Sequence, residues 1–381
     1  MAVNQRKILF LVTEDWYFWS HRLALAQSLR NAGYQVLVAT RVNEYGNLIQ
    51  KEGFKLLPVK LLRRNKNIFK EFSAFLDLIR IYRKEKPDLV HHVAIKPVLY
   101  GSWAAKCTNV SVVVNALAGL GHVFVAKGWC ANILKKCICI AYKTAFSLKN
   151  ASVIFQNQDD MAIFLNGGLV SEEQTFLIKG SGVDTSTFNP SLEERGIPLV
   201  VLASRMLWAK GVKEFVDAAQ ILHHSGLKAR FALVGKADQG NPSSVPTEQL
   251  QSWDKDGSVE WWGHRTDMSS VFAQSHIVCL PSSYGEGVPK VLIEAAACGR
   301  AIVTTDTPGC REIVRHEENG LLVPIHNSQA LAEALRTLIE NPTMRARMGA
   351  RGREIVLAEF SEEKVIEQTL SIYKKLLGKK V

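Results

Sequence analysis

The chain has 381 residues, 47% of them hydrophobic and 22% charged, with a formal net charge of +11. That length suits two domains better than one, and the balance of apolar and charged residues excludes a disordered or low-complexity protein. The excess charge lies in one half: residues 1–190 carry 24 Lys/Arg against 13 Asp/Glu, whereas residues 191–381 carry 23 of each.

In chain order, residues 7–13 read as a buried strand. The apolar run over 8–12 stops at Glu14 and Asp15, which argues against a signal peptide. A helix over 20–32 closes at Gly33, followed by a strand over 35–40, a helix over 45–52 and a short strand over 55–58. A long helix over 68–85 stops at Lys86-Pro87. Then come a strand over 89–93, a helix over 97–108, a strand over 111–115, a helix over 129–148 and a strand over 152–155. A break follows at Gly180-Ser-Gly-Val-Asp184 and Asn189-Pro190, and the pattern restarts. Strands are expected over 199–204, 230–234, 259–262, 277–280 and 301–304, and helices over 211–223, 266–274, 289–298, 329–340 and 362–377. Such alternation implies α/β architecture with parallel sheets. The expected fold is two Rossmann-like doubly wound domains facing a central cleft. The first spans 1–185, the second 196–360, and the helix within 361–381 returns to the first.

The basic excess concentrates between Lys60 and Lys86, with nine basic and three acidic residues. Ile68, Phe69, Phe72, Phe75, Leu76 and Ile79 recur there at helical spacing, so the segment reads as a basic amphipathic helix. Such a helix suits an anionic membrane surface, or else a sheet with its basic face in water. No nucleic-acid recognition motif accompanies the charge. No stretch of about 18 uncharged apolar residues exists to span a bilayer. The seven cysteines form no C-x-x-C pair, and Cys137 and Cys139 are too close for a zinc half-site. Scattered thiols fit a reducing, cytoplasmic compartment. Asp254-Lys-Asp256 is formally a D-x-D, but it runs into Gly257 and reads as a turn, so no metal site is expected.

The segment richest in chemistry is Glu286-Gly-Val-Pro-Lys-Val-Leu-Ile-Glu294, after a strand and a Gly-containing turn. It places one carboxylate at a loop tip and a second two turns into a helix, with backbone amides at the helix N-terminus between them. Those amides suit a phosphate, and a helix carboxylate can accept hydrogen bonds from a ribose diol. Upstream lies Ala203-Ser-Arg205-Met-Leu-Trp-Ala-Lys210-Gly211. Also present are Trp262-Gly263-His264-Arg265-Thr-Asp267, Thr307-Pro-Gly309-Cys-Arg-Glu312 and Asn319-Gly320-Leu-Leu-Val-Pro324. In this order the motifs resemble the retaining glycosyltransferases of family 4 with the GT-B fold, over nearly all of 181–330. The resemblance implies that Arg205 and Lys210 hold the donor diphosphate and, with Glu286, form the catalytic set. It further implies that Glu286 meets the sugar hydroxyls and Glu294 the ribose. Gly287 and the amides of Val288 and Lys290 would face the pyrophosphate, and Gly263 and Arg265 would approach the base. Ser204 stands where the family commonly has Gly.

In the first half, Phe18-Trp-Ser20-His21-Arg22, His91-His-Val-Ala-Ile-Lys96 and Val114-Asn115-Ala-Leu-Ala-Gly119-Leu-Gly121 resemble a subgroup. Its members build capsule, O-antigen or N-glycan precursors on undecaprenyl diphosphate, usually from a UDP-linked N-acetylhexosamine or hexose. The resemblance implies a UDP-sugar donor and a lipid-linked saccharide acceptor. It places the enzyme in the cytoplasm, peripheral on the inner face of the plasma membrane. Ser20, His21, Arg22, Lys96, Gly119, Gly121 and His122 are the acceptor-side candidates. Gly119 and Gly121 would form a tight loop at a strand end. The family's usual His after this strand is absent from Asn115-Ala-Leu-Ala118. No cofactor is expected, because two cations can do a metal's work at the leaving diphosphate. A transferase with a soluble acceptor, a non-catalytic nucleotide-sugar or membrane-binding module, and a non-hydrolysing sugar-nucleotide epimerase are the rival readings.

Overall fold

The computed structural model describes residues 5–62, 67–120, 128–148, 150–238 and 241–378, leaving the side chains of 130–132 undescribed. Gly121 and His122, and Arg63 to Lys66 within the basic segment, lie outside the described residues. The chain divides into two compact units, residues 1–181 with 363–381, and residues 182–362.

The first unit is a seven-stranded parallel sheet in the order β3-β2-β1-β4-β5-β6-β7. Its elements run β1 (Lys7–Glu14), α1 (Asp15–His21), α2 (Leu23–Asn31), β2 (Gln35–Arg41), α3 (Gly46–Lys51), β3 (Lys55–Pro58) and α4 (Ile68–Glu85). Then follow β4 (Leu89–Val93), α5 (Ile95–Thr108), β5 (Val112–Leu117), α6 (Trp129–Ala145), β6 (Ala151–Phe155), α7 (Gln158–Asn166) and β7 (Thr175–Leu177). The strands are buried on both faces, as parallel sheets require.

The helix expected over 20–32 is two helices. It begins earlier because the buried Asp15 carboxylate organises the turn, accepting from the amides of Trp16 (2.8 Å), Asn43 (2.5 Å) and Tyr45 (3.0 Å). The chain then leaves helical geometry at Arg22 (φ −132°, ψ −6°). The long helix α4 keeps its expected bounds. The Asn67 side chain accepts from the amides of Phe69 and Lys70 at its start, and Lys86 ends it in the left-handed region before Pro87. Its apolar stripe is only partly used: Ala74, Leu78 and Tyr82 are buried, but Ile68, Phe69 and Phe72 are exposed.

The second unit is a six-stranded parallel sheet in the order β10-β9-β8-β11-β12-β13. Its elements are β8 (Leu199–Ala203), α8 (Val212–His224), β9 (Arg230–Val234), α9 (Thr247–Lys255), β10 (Glu260–Gly263), α10 (Met268–Gln274) and β11 (Ile277–Leu280). They continue as α11 (Lys290–Ala297), β12 (Ala301–Thr305), α12 (Cys310–Ile313), β13 (Gly320–Val323), α13 (Ser328–Glu340) and α14 (Pro342–Ile355). The helices α1, α7, α9, α12 and α14 and the strands β7 and β13 are additions to the sequence reading; most are short or have weak apolar stripes.

The final helix, α15 (Glu362–Gly378), joins the first unit. Its Val365, Ile372, Tyr373, Leu376 and Leu377 enter the core beside Phe10, Leu25, Val38 and Val114. The Tyr373 hydroxyl is hydrogen-bonded to His91 Nδ1, and the His91 ring stacks on Phe10 at 5.2 Å. Next to it, His92 contacts the Tyr82 hydroxyl (2.9 Å) and the Asn115 side chain (2.8 Å). Burial drives the His91 imidazole well below its ordinary value, with Arg22 adding to the effect, and takes His92 down to about 4. Both rings are therefore neutral parts of the core. Leu377→Ala should cost about 2–4 kcal/mol by opening a cavity under α15, read as a lowered urea midpoint.

Candidate active site

In a parallel sheet the loops leaving the carboxyl ends of the strands are where ligands collect. In the second unit those loops follow β8, β9, β11 and β12. The loop after β8 makes a tight turn over Trp208–Lys210 and then passes through Gly211 at φ 75°. A Cβ on Gly211 would run into the Pro281 carbonyl, so only glycine lets the two loops touch. The Ser283 amide donates to the Ala209 carbonyl (3.0 Å) across this contact.

The closure sets Lys210 Nζ against one oxygen of the Glu286 carboxylate, and the Ser282 hydroxyl donates to the other (2.7 Å). Lys210 also lies 5.4 Å from the centre of the Tyr284 ring. Burial disfavours the Lys210 charge, but Glu286 and Tyr284 outweigh it and hold the ammonium above its ordinary value, with Arg205 opposing them. Burial and Glu286 also raise the Tyr284 phenol. The loop after β12 closes on the same segment, because Gly309 (φ 80°) presses against the Gly287 carbonyl.

Arg205, at the start of the β8 loop, pairs with Asp238 of the β9 loop (2.6 Å), and Asn241 donates to the same carboxylate (3.1 Å). Glu294 lies one turn into α11, not two, because the helix begins at Lys290. Lys290 Nζ stands 3.8 Å away, and Val288 is buried just before the helix. Burial pushes the Glu294 carboxyl up to about 7, with Lys290 pulling the other way. Gly263 ends β10, its carbonyl accepting from the Gly235 amide (2.7 Å). Arg265 is engaged by Asp267 (2.8 Å).

The structure thus brings Lys210, Glu286 and Gly287 together, with Arg205 near enough to act on Lys210. Ser282, Tyr284 and Asp238 are members that motif reading passed over. Ser282 and Tyr284 sit within four residues of Glu286, a signal that was available; Asp238 is 33 positions from Arg205 and carried none. Asp254 accepts the amide of Trp261 in β10 (2.9 Å), and Asp256 accepts the Ser258 amide (2.8 Å) in the turn after α9.

In the first unit, the Ser20 hydroxyl donates to the Trp16 carbonyl (2.8 Å) and lies 2.6 Å from His21 Nδ1, while the His21 ring stacks on Tyr17 at 4.2 Å. Arg22 is buried, with Nη1 donating to the His21 carbonyl (3.1 Å). Lys96 is bound by both oxygens of Glu71 (2.9 and 3.0 Å) and by the Leu62 carbonyl (2.8 Å), so its charge is met within the protein. Gly119 follows β5 at φ 93°.

The profile of the glycosyl transferases group 1 matches residues 184–355, and that of the glycosyl transferase 4-like domains matches residues 7–157. Between them the two profiles span most of the chain, which is a glycosyltransferase. Among relatives of this transferase, an N,N'-diacetylbacillosaminyl-diphospho-undecaprenol alpha-1,3-N-acetylgalactosaminyltransferase from Campylobacter jejuni is 28% identical, over 97% of this chain and 99% of its own. A UDP-Gal:alpha-D-GlcNAc-diphosphoundecaprenol alpha-1,3-galactosyltransferase from Escherichia coli is 22% identical over 83% and 82%. A sucrose-phosphate synthase from Thermosynechococcus elongatus superposes with a TM-score of 0.81 at 21% identity, over 98% of this chain and all of its own. A Rickettsia africae glycosyltransferase does so at 0.80 and 20%, over 99% and all of its own. The transferase has the GT-B fold.

The raised Glu294 carboxyl has a consequence for stability. Its value moves from an ordinary 4.5 when unfolded to about 7 when folded, so the folded chain binds more protons between those limits. Stability should therefore fall as pH rises through that window, by up to about 3 kcal/mol. Urea melts at pH 5 and pH 8 should show a smaller drop for Glu294→Gln than for the parent chain.

Proposed function

We propose that this glycosyltransferase moves a hexose or N-acetylhexosamine from a UDP-sugar to a polyprenyl-diphosphate-linked saccharide, with retention of anomeric configuration, in cell-surface polysaccharide or glycan synthesis. The observation that carries the reading is the pairing of buried Lys210 with Glu286 at the carboxyl edge of the second sheet, with Arg205 beside it. The near full-length Campylobacter relative, named for a diphospho-undecaprenol acceptor, supports the acceptor class.

A departing UDP gathers negative charge on its diphosphate, and a fixed cation in a dry site stabilises it without reorganisation. Lys210 and Arg205 supply that charge in this reading, while the amides of Gly287 through Lys290 meet the pyrophosphate. Pro289 has no N–H to offer. A carboxylate has about four lone-pair positions. Ser282 and Lys210 occupy two on Glu286, and in this reading the same carboxylate meets hydroxyls of the donor sugar. Glu294 would accept from the ribose, and Gly263 and Arg265 would approach the base. Transfer follows a front-face course: the acceptor oxygen bonds to the anomeric carbon on the side from which the phosphate oxygen leaves, and its proton passes to that phosphate. No divalent ion is assigned a part in this reading, the two cations serving the leaving diphosphate instead. A lipid-borne acceptor would hold the enzyme at the inner face of the plasma membrane. No described helix is long and apolar enough to cross it.

The deciding assay is UDP release from a panel of UDP-sugars, with and without undecaprenyl-diphosphate-linked saccharides, the product anomer being assigned by NMR. Release by one sugar only with the lipid acceptor is expected, and it should persist in EDTA. Release with a soluble saccharide alone would move the acceptor class, and none with any pair would favour a binding module. Lys210→Ala should lower kcat by about 10²–10³ with little change in acceptor KM, and Glu286→Ala should abolish turnover without unfolding the chain.

A further inference from the structure

In the first unit, α4, α5 and α6 lie side by side on one face of the sheet. Glu71 in the first turn of α4 takes Lys96 (2.9 Å) and Tyr100 (2.7 Å) from the first turns of α5. At the other end, Trp103 and Lys106 of α5 reach Thr144 (3.2 Å) and Ser147 (3.3 Å) where α6 finishes. The three helices therefore run in the same direction. Each is antiparallel to the parallel strands it joins, so all three begin at the carboxyl edge of the sheet.

At that edge the two outer helices are apolar and uncovered. On α4, Ile68, Phe69 and Phe72 are 77%, 82% and 60% exposed; on α6, Trp129, Ile133 and Leu134 are 77%, 45% and 52% exposed. Further along, the same helices bury Ala74, Leu78 and Tyr82, and Tyr142 and Ala145, against the sheet. The apolar stripes thus extend past the core that would use them. Helix spacing of about 10 Å puts the two tips roughly 20 Å apart, with α5 between them.

The charge around them has one sign. Helix α6 carries Lys135, Lys136 and Lys143 and no acid. The first turn of α4 carries Lys70, and its one acid, Glu71, is bound by Lys96 and Tyr100. The first unit as a whole holds 29 Lys/Arg against 14 Asp/Glu, net +15, while the second holds 18 against 22, net −4. Aromatic tips flanked by lysines fit the boundary between acyl chains and anionic headgroups.

We infer that the N-terminal turns of α4 and α6 form a two-point docking surface for an anionic phospholipid bilayer. Phe69 and Trp129 enter the interface while Lys70, Lys135 and Lys136 meet the headgroup phosphates. Docked so, the carboxyl edge of the first sheet faces the headgroup layer, where the diphosphate of a lipid-linked acceptor lies. This deepens the lipid-acceptor reading and rests on it for its purpose, but its test needs neither donor nor acceptor.

The full chain is floated with vesicles of phosphatidylcholine alone or with about 30% phosphatidylglycerol, a content that raises the surface potential. Flotation with the anionic vesicles, weakened by salt and weak or absent with the neutral ones, is expected. Phe69→Ser with Trp129→Ser should lower the bound fraction at least tenfold at unchanged thermal midpoint. Leu48→Ser, at an exposed apolar residue of α3, should leave it unaltered. Brominated lipid should quench tryptophan emission in the parent chain and much less in Trp129→Phe. Failure of the parent to float, or flotation of the double variant like the parent, would overturn the proposal. So would a dimer by sedimentation that the double variant abolishes, since the surface would then bind a second copy. If docking holds while UDP release needs no lipid acceptor, the acceptor reading falls alone; the converse removes only the docking surface.

Discussion

A buried lysine beside a half-buried glutamate is the constraint on which the arrangement of the second unit turns. Removing either charge from water costs several kcal/mol, and mutual attraction offsets this only when geometry is good and remaining polar atoms are met. Here the geometry comes from the touching of two loops at Gly211 and Pro281, and Ser282 takes the second carboxylate oxygen. Such a pair is a weak source of stability. Its worth lies in holding an ammonium, fixed and poorly hydrated, at the edge of a sheet where an anion would arrive.

The two units use buried polar groups differently. In the first, His91, His92, Asn115, Tyr82 and Tyr373 form a neutral set inside the core, and burial keeps both imidazoles uncharged. Their hydrogen bonds fix where α15 sits on the sheet. In the second unit Lys210 is buried yet held charged by Glu286, among the loops. A neutral network specifies packing; a charged one that faces the loop edge is suited to meeting a ligand.

Much of the architecture was legible in the residues. The alternation of apolar runs and 3.6-residue stripes marked most strands and the longer helices, because parallel strands buried on both faces leave an unbroken apolar signature. The end of α4 was readable from Lys86-Pro87, while the Asn67 cap at its start came from the structure. The split at Arg22 was not, since it follows from Asp15 reaching amides at Asn43 and Tyr45 in another loop. The stripe of α4 was visible as a pattern, yet the pattern did not say that its first turn stands clear of the core.

By itself the sequence determined the fold class and offered Arg205, Lys210, Glu286 and Glu294 as candidates, because each motif is a short run that a linear reading preserves. Tertiary structure alone decided which charges meet. Lys210 finds Glu286 across 76 positions, Arg205 finds Asp238 across 33, and Lys96 is held by Glu71 of the neighbouring helix. The physical reason is that an ion pair needs two side chains within about 4 Å, and that distance is set by strand order and loop packing, neither of which has a signature along the chain.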